Sequence, residues 1–74
     1  MQDKIIDIVA EISEADENKI TMDSVLEEIG ISGMEEITLM MSLEDVYGVE
    51  ILDDEVSWLT VGDVYKHMEQ LVNK

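Results

Sequence analysis

Apolar residues recur along this chain at spacings of three and four, and they do so in three separate stretches. In the first, Ile5, Ile8, Val9 and Ile12 fall on one side of a helical wheel, with Asp3, Asp7, Glu11 and Glu14 on the other. That alternation predicts an amphipathic helix over residues 3–15. The polar run from Asp16 to Thr21 breaks the pattern and opens a long loop that reaches Ser32. Val25, Leu26, Ile29 and Ile31 lie within it, so the loop is expected to pack down on the core.

A second helix is predicted to start at Ser32 or Gly33 and to end at Tyr47. Ser32 reads as its N-cap, with Glu35 completing a capping box. Glu35 and Glu36 in the first turn complement the helix dipole. Ile37, Met40, Met41 and Glu44 share one face of this helix, and Leu39, Leu43, Val46 and Tyr47 broaden its apolar stripe. Gly48 supplies a left-handed stop. Val49, Glu50 and Ile51 form an extended connector, and residues 53–56 a single turn. Thr60, with Asp63 three residues on, predicts the N-cap of a last helix over residues 61–72. Its inward positions are Val61, Val64, Tyr65, Met68, Leu71 and Val72. No strand alternation competes with these readings. They predict an all-α fold, a small bundle of three main helices plus one short helix.

Composition narrows the picture. Seventy-four residues make one domain, covering residues 1–74, with no linker or repeat to divide it. There is no Phe, one Trp and two Tyr, so the core must be aliphatic, helped by six softly packing Met. Nineteen Asp and Glu against four Lys give a formal net charge of −15. Such a chain cannot neutralise phosphates, which excludes nucleic acid, and an anionic membrane surface would repel it. Proteins with basic patches are its natural partners. Without Cys it has no disulfide, thiol chemistry or thiolate metal site. No stretch reaches the run of about 18 apolar residues that a membrane span needs. The start of the chain has none of the apolar core of a secretory signal, and a soluble, cytoplasmic monomer is expected.

The residues around Gly33 carry a resemblance. Glu27-Glu28-Ile29-Gly30, then three residues, then Met34 and an acidic amphipathic helix resemble the attachment site of acyl carrier proteins. The similarity extends from Ile5 to Leu71. Ile8-Val9-Ala10-Glu11 resembles the end of the family's first helix, and Ser24 to Gly30 its pre-site loop. Glu50-Ile51-Leu52-Asp53-Asp54-Glu55 resembles a Glu-Ile-Pro-Asp-acid-acid run, with Leu52 where Pro is usual. Thr60-Val61-Gly62-Asp63-Val64 matches the start of the last helix, although the segment between Glu55 and Thr60 is a residue short. The resemblance implies a small helical carrier rather than an enzyme. It implies a 4'-phosphopantetheine arm on a Ser, holding acyl or aminoacyl groups as thioesters for fatty-acid or polyketide-type enzymes.

The departure lies at the chemistry. Aligned without a gap, Gly33 occupies the position of the modified Ser, and Ser32 that of the preceding Asp. Either the arm moves to Ser32 or Ser32 merely caps the helix. In the second case the chain is an unmodified homologue that acts as a protein-interaction or regulatory module. Asp23-Ser24-Val25 also spells Asp-Ser-hydrophobe, but Gly30 interrupts any long helix starting there, so Ser24 reads as a turn residue. By resemblance the partner-docking surface comprises Met34, Glu35, Glu36, Ile37, Met41, Glu44 and Asp45, while the plain alternative is a solvated acidic face. Met34, Met40 and Met41 would either line a yielding acyl cavity or fill the core.

Other constellations are poor. His67 is the only His and has no Cys or paired Ser near it in sequence, so a catalytic triad is not supported and a surface position is expected. Asp53-Asp54-Glu55 lacks the alternating ligands and central Gly of a calcium loop, and no dedicated metal site is expected.

Overall fold

The computed structural model describes residues 2–73. Three α-helices carry the fold: α1, Gln2–Ser13; α2, Met34–Tyr47; and α3, Val61–Val72. Three short 3-10 turns punctuate the connections, at Glu17–Lys19, Glu27–Ile29 and Asp53–Glu55. Among the described residues there is no strand, only an isolated antiparallel bridge between Val25 and Thr60. None of the helices is long and apolar enough to cross a membrane.

One core joins the three helices. Ile5, Ile8 and Val9 of α1 meet Leu39, Met40 and Leu43 of α2 and Val61, Val64 and Met68 of α3. Ile20, Leu26, Ile31 and Ile51 close it from the loops, so the long first loop does pack inward. α1 lies against both other helices. All the fully enclosed side chains are aliphatic or Met, as a chain without Phe requires.

The start of α3 shows why its sequence signal is dependable. Thr60 is its N-cap: its hydroxyl accepts the Asp63 N–H at 3.2 Å, while Asp63 Oδ2 accepts the N–H groups of Leu59 and Thr60 at 2.9 and 3.0 Å. These bonds hold the Asp63 carboxyl below the ordinary aspartate range. The next two orphan amides find carbonyls in the first loop, Val61 on Ser24 at 3.0 Å and Gly62 on Met22 at 2.7 Å. Together with the Leu26 N–H on the Leu59 carbonyl at 2.9 Å, they tie the loop to α3. Ser24 serves as the turn residue expected of it, accepting the Thr21 N–H at 2.9 Å.

Four expectations need correction. The first helix ends at Ser13, not at Ala15, because Glu14 turns left-handed at φ 61°. Ser32 is not the N-cap of α2. Gly33 holds that place at φ 55°, ψ −114° with no side-chain bond, and it is the Ser32 carbonyl that accepts the Glu35 N–H, at 3.1 Å. The stripe of α2 is also turned. Leu39, Met40 and Leu43 face the core, whereas Ile37, Met41 and Val46 are exposed. α2 has apolar residues on nearly every side, so periodicity could not choose between the faces. On α3, Val72 lies exposed at the last turn instead of inward. Gly48 ends α2 as expected, at φ 65°, donating its N–H to the Glu44 carbonyl at 2.8 Å.

Candidate functional site

The site suggested by the sequence is the N-terminal end and outer face of α2. Its first residues sit beyond a glycine whose backbone lies outside the regions open to other residues. A Cβ built at Gly33 would meet nothing within 4 Å. Space therefore exists for a side chain at Gly33, but the backbone disfavours one. Ser32, immediately before it, is exposed, and its hydroxyl makes no hydrogen bond among the described residues. The capping bond that would have occupied that oxygen is absent because Gly33, not Ser32, precedes the first helical residue. At the same end the N–H groups of Met34 and Glu36 have no partner among the described residues.

The outer face carries an apolar stripe. Met34, Ile37 and Met41 are 79%, 58% and 64% exposed, at the three- and four-residue spacings that align side chains along a helix. Glu35 and Asp45 are exposed beside them. Thr38, Met41, Ser42, Glu44 and Asp45 line a shallow groove along the same helix. The structure thus brings five of the expected docking residues, Met34, Glu35, Ile37, Met41 and Asp45, to one accessible surface. Glu36 and Glu44 differ, being half-buried. Glu44 has a structural task besides, since its carboxylate accepts the Ile51 N–H at 2.8 Å and pins the connector after α2. Of the three Met considered as cavity lining, only Met40 fills the core, while Met34 and Met41 lie outside.

Fit for a phosphopantetheine arm follows from donor chemistry. A phosphodiester requires a hydroxyl oxygen. Gly33 has none, and Ser32 offers one that is exposed and unbonded. Of the two residues, only Ser32 has an oxygen to which such an arm could be joined.

A second constellation went unread in the sequence. His67, expected at the surface, has a side chain only 15% exposed. Trp58 donates its indole N–H to His67 Nδ1 at 3.0 Å, the rings meeting edge-on with centroids 5.7 Å apart. The Glu55 carboxylate lies 4.0 Å from Nε2. No local signal announces a pair nine residues apart that spans a turn and a helix. Among the described residues no group of three or more His, Asp or Glu side chains is placed to hold a metal ion.

Comparison with known proteins agrees with the geometry. Residues 3–68 match the family model described as "Phosphopantetheine attachment site". The chain is 36% identical over 72 residues to the acyl carrier protein of Rickettsia massiliae, covering 95% of this chain and 84% of that protein. It stands equally close to the acyl carrier protein of Rickettsia typhi, at 36% over 72 residues with the same coverage of both chains. That of Rickettsia canadensis is 35% identical over the same length and coverage. Acyl carrier proteins are carriers, not enzymes. A bundle of three helices, the acidic second helix and a match spanning most of the chain place this protein in the acyl carrier protein family.

Proposed function

We propose that this protein docks onto basic-faced enzymes of acyl or aminoacyl transfer, of the fatty-acid or polyketide type, through the outer face of α2. One observation carries the reading: Met34, Ile37 and Met41 stand exposed in a line, flanked by Glu35 and Asp45, on a chain of net charge −15. An apolar stripe bordered by carboxylates offers a partner both area to bury and charge to steer by. We assign it to the cytoplasm as a monomer, its Gly33 position bearing no arm. Chemical-shift mapping tests the docking with a phosphopantetheinyl transferase, the enzyme class that reads the attachment site of this family. The expected shifts cluster on residues 34–45, and the affinity falls as salt rises. The double change Glu35→Lys with Asp45→Lys weakens it at least about tenfold. Shifts centred on α1, or binding indifferent to both salt and charge reversal, would refute the assignment.

A second reading is favoured by a specific observation, the exposed, unbonded Ser32 hydroxyl. In it Ser32 carries the arm one residue before the usual position, and the unpaired N–H groups of Met34 and Glu36 face the developing phosphodiester at the positive end of α2. The arm, when attached, supplies a terminal thiol that holds acyl groups as thioesters. The protein's own part is to present Ser32 clear of the core. Intact mass and peptide mapping after incubation with coenzyme A and the transferase separate the two readings.

A further inference from the structure

The single tryptophan and single histidine of the chain meet where the connector enters α3. An imidazole nitrogen that accepts a hydrogen bond carries no proton. With Trp58 donating to Nδ1, the neutral ring keeps its proton on Nε2, toward Glu55. A further proton can add only at Nδ1, where the indole N–H already points. Taking it leaves two donors facing one another across a contact of 3.0 Å, so the bond is lost.

We propose that the Trp58–His67 pair is a pH-sensitive latch: protonation of His67 at Nδ1 breaks the indole bond and loosens the Trp58 side chain from α3 while the bundle stays folded. The step takes one proton from solvent and breaks no covalent bond. The charged groups around the ring are Glu55 from the Asp53–Glu55 turn, and Asp63 and Lys66 from α3 itself, which line one groove with Trp58 and His67. An imidazolium formed there has the Glu55 carboxylate 4.0 Å away to turn to as the indole leaves.

The rest of α3 is held independently of the ring. Thr60 and Asp63 close its capping box, Val61 and Gly62 bond the first loop, and Val61, Val64 and Met68 are fully buried. Release is therefore local. It loosens the Trp58 ring beside Leu59, which is already 62% exposed and whose N–H stays bonded to Asp63.

The test follows the Trp58 indole N–H cross-peak and the His67 ring resonances by NMR from about pH 8 to about pH 5, with far-UV circular dichroism alongside. The expected result is an indole shift sharing one midpoint with the His67 ring, and unchanged dichroism. Indole hydrogen exchange then speeds about two- to tenfold relative to His67→Gln at the same pH, the change one net hydrogen bond represents. His67→Gln keeps an acceptor that does not titrate, so its indole peak stays still. An indole peak that ignores the titration of the ring overturns the proposal. So does loss of helical dichroism at the same midpoint, which would make the release global unfolding. Should the variant fail to fold, the two midpoints in the unaltered protein decide the matter alone.

Discussion

Replacing Gly33 by Ala isolates the backbone demand at the head of α2. The Cβ would have no atom within 4 Å, so steric collision contributes nothing. What remains is the conformation, φ 55° and ψ −114°, which residues with a side chain reach only at a cost of about 1–3 kcal/mol. In a domain of this size each kcal/mol lowers the melting temperature by about 4–8 °C, so the loss should be large and easily resolved. Gly48→Ala is a useful comparison. Its φ 65° and ψ 35° lie in the ordinary left-handed region, where the cost is about 1–2 kcal/mol. Urea unfolding of both variants, with the slope checked for change, gives the two values directly. Gly33→Ser adds one more comparison. If the backbone relaxes to extended geometry, the new hydroxyl reaches the free Glu36 N–H and recovers about 1 kcal/mol over Gly33→Ala. A Gly33→Ala protein as stable as the parent would refute the reasoning, since it would show that the turn before α2 does not need glycine at all.

Three further outcomes follow from the packing and charge. Asp63→Asn should destabilise the domain by about 1–2 kcal/mol at neutral pH, because two backbone donors lose their charged acceptor. The folded-state pKa of Asp63 is depressed, so its contribution is present above the ordinary value of about 3.9 and lost as pH falls through the lower folded value. The stability gap between variant and parent should accordingly close on acidification below that value, and a gap that widens would refute the assignment. Tyr47→Phe removes a buried hydroxyl with no partner, whose burial raises its pKa. It should leave stability unchanged or raise it by about 1 kcal/mol, and a clear loss would mean that the oxygen is satisfied after all. Salt or a divalent cation should raise the melting temperature, since the neighbouring Asp7 carboxylate already makes Glu17 hold its proton more tightly than usual. A melting temperature indifferent to both would show that repulsion across the chain has been overrated.

The elements legible in the sequence were those governed by near neighbours. Thr60 and Asp63 lie three residues apart and close their box unaided, and Gly48 stops α2 because a left-handed residue is needed there. The pattern of α1 was clear because Asp3, Asp7 and Glu11 occupy the face opposite Ile5, Ile8 and Val9. α2 lacked that contrast. Met34, Ile37 and Met41 are as apolar as Leu39, Met40 and Leu43, and only packing against α1 decides which set turns inward. The exposed set then belongs to the candidate surface that the resemblance had already assigned. Ser32 was misread for a different reason. Its type and its spacing to Glu35 fit a cap, but the torsion at Gly33 that moves the cap one residue on has no signature in sequence. The bonds made by Glu44 and His67 were not foreseen because their partners, Ile51 and Trp58, come from separate segments that only the fold brings together.

The most direct test of the account is intact-protein mass after incubation with coenzyme A and a broad-specificity phosphopantetheinyl transferase, beside a family carrier that is fully modified. On the proposal that Gly33 stands where the family has its modified Ser, the protein should keep its mass unchanged and act by docking alone. A gain of one phosphopantetheine arm, mapped to Ser32, would contradict that account and make the chain a working carrier with its attachment site displaced by one residue.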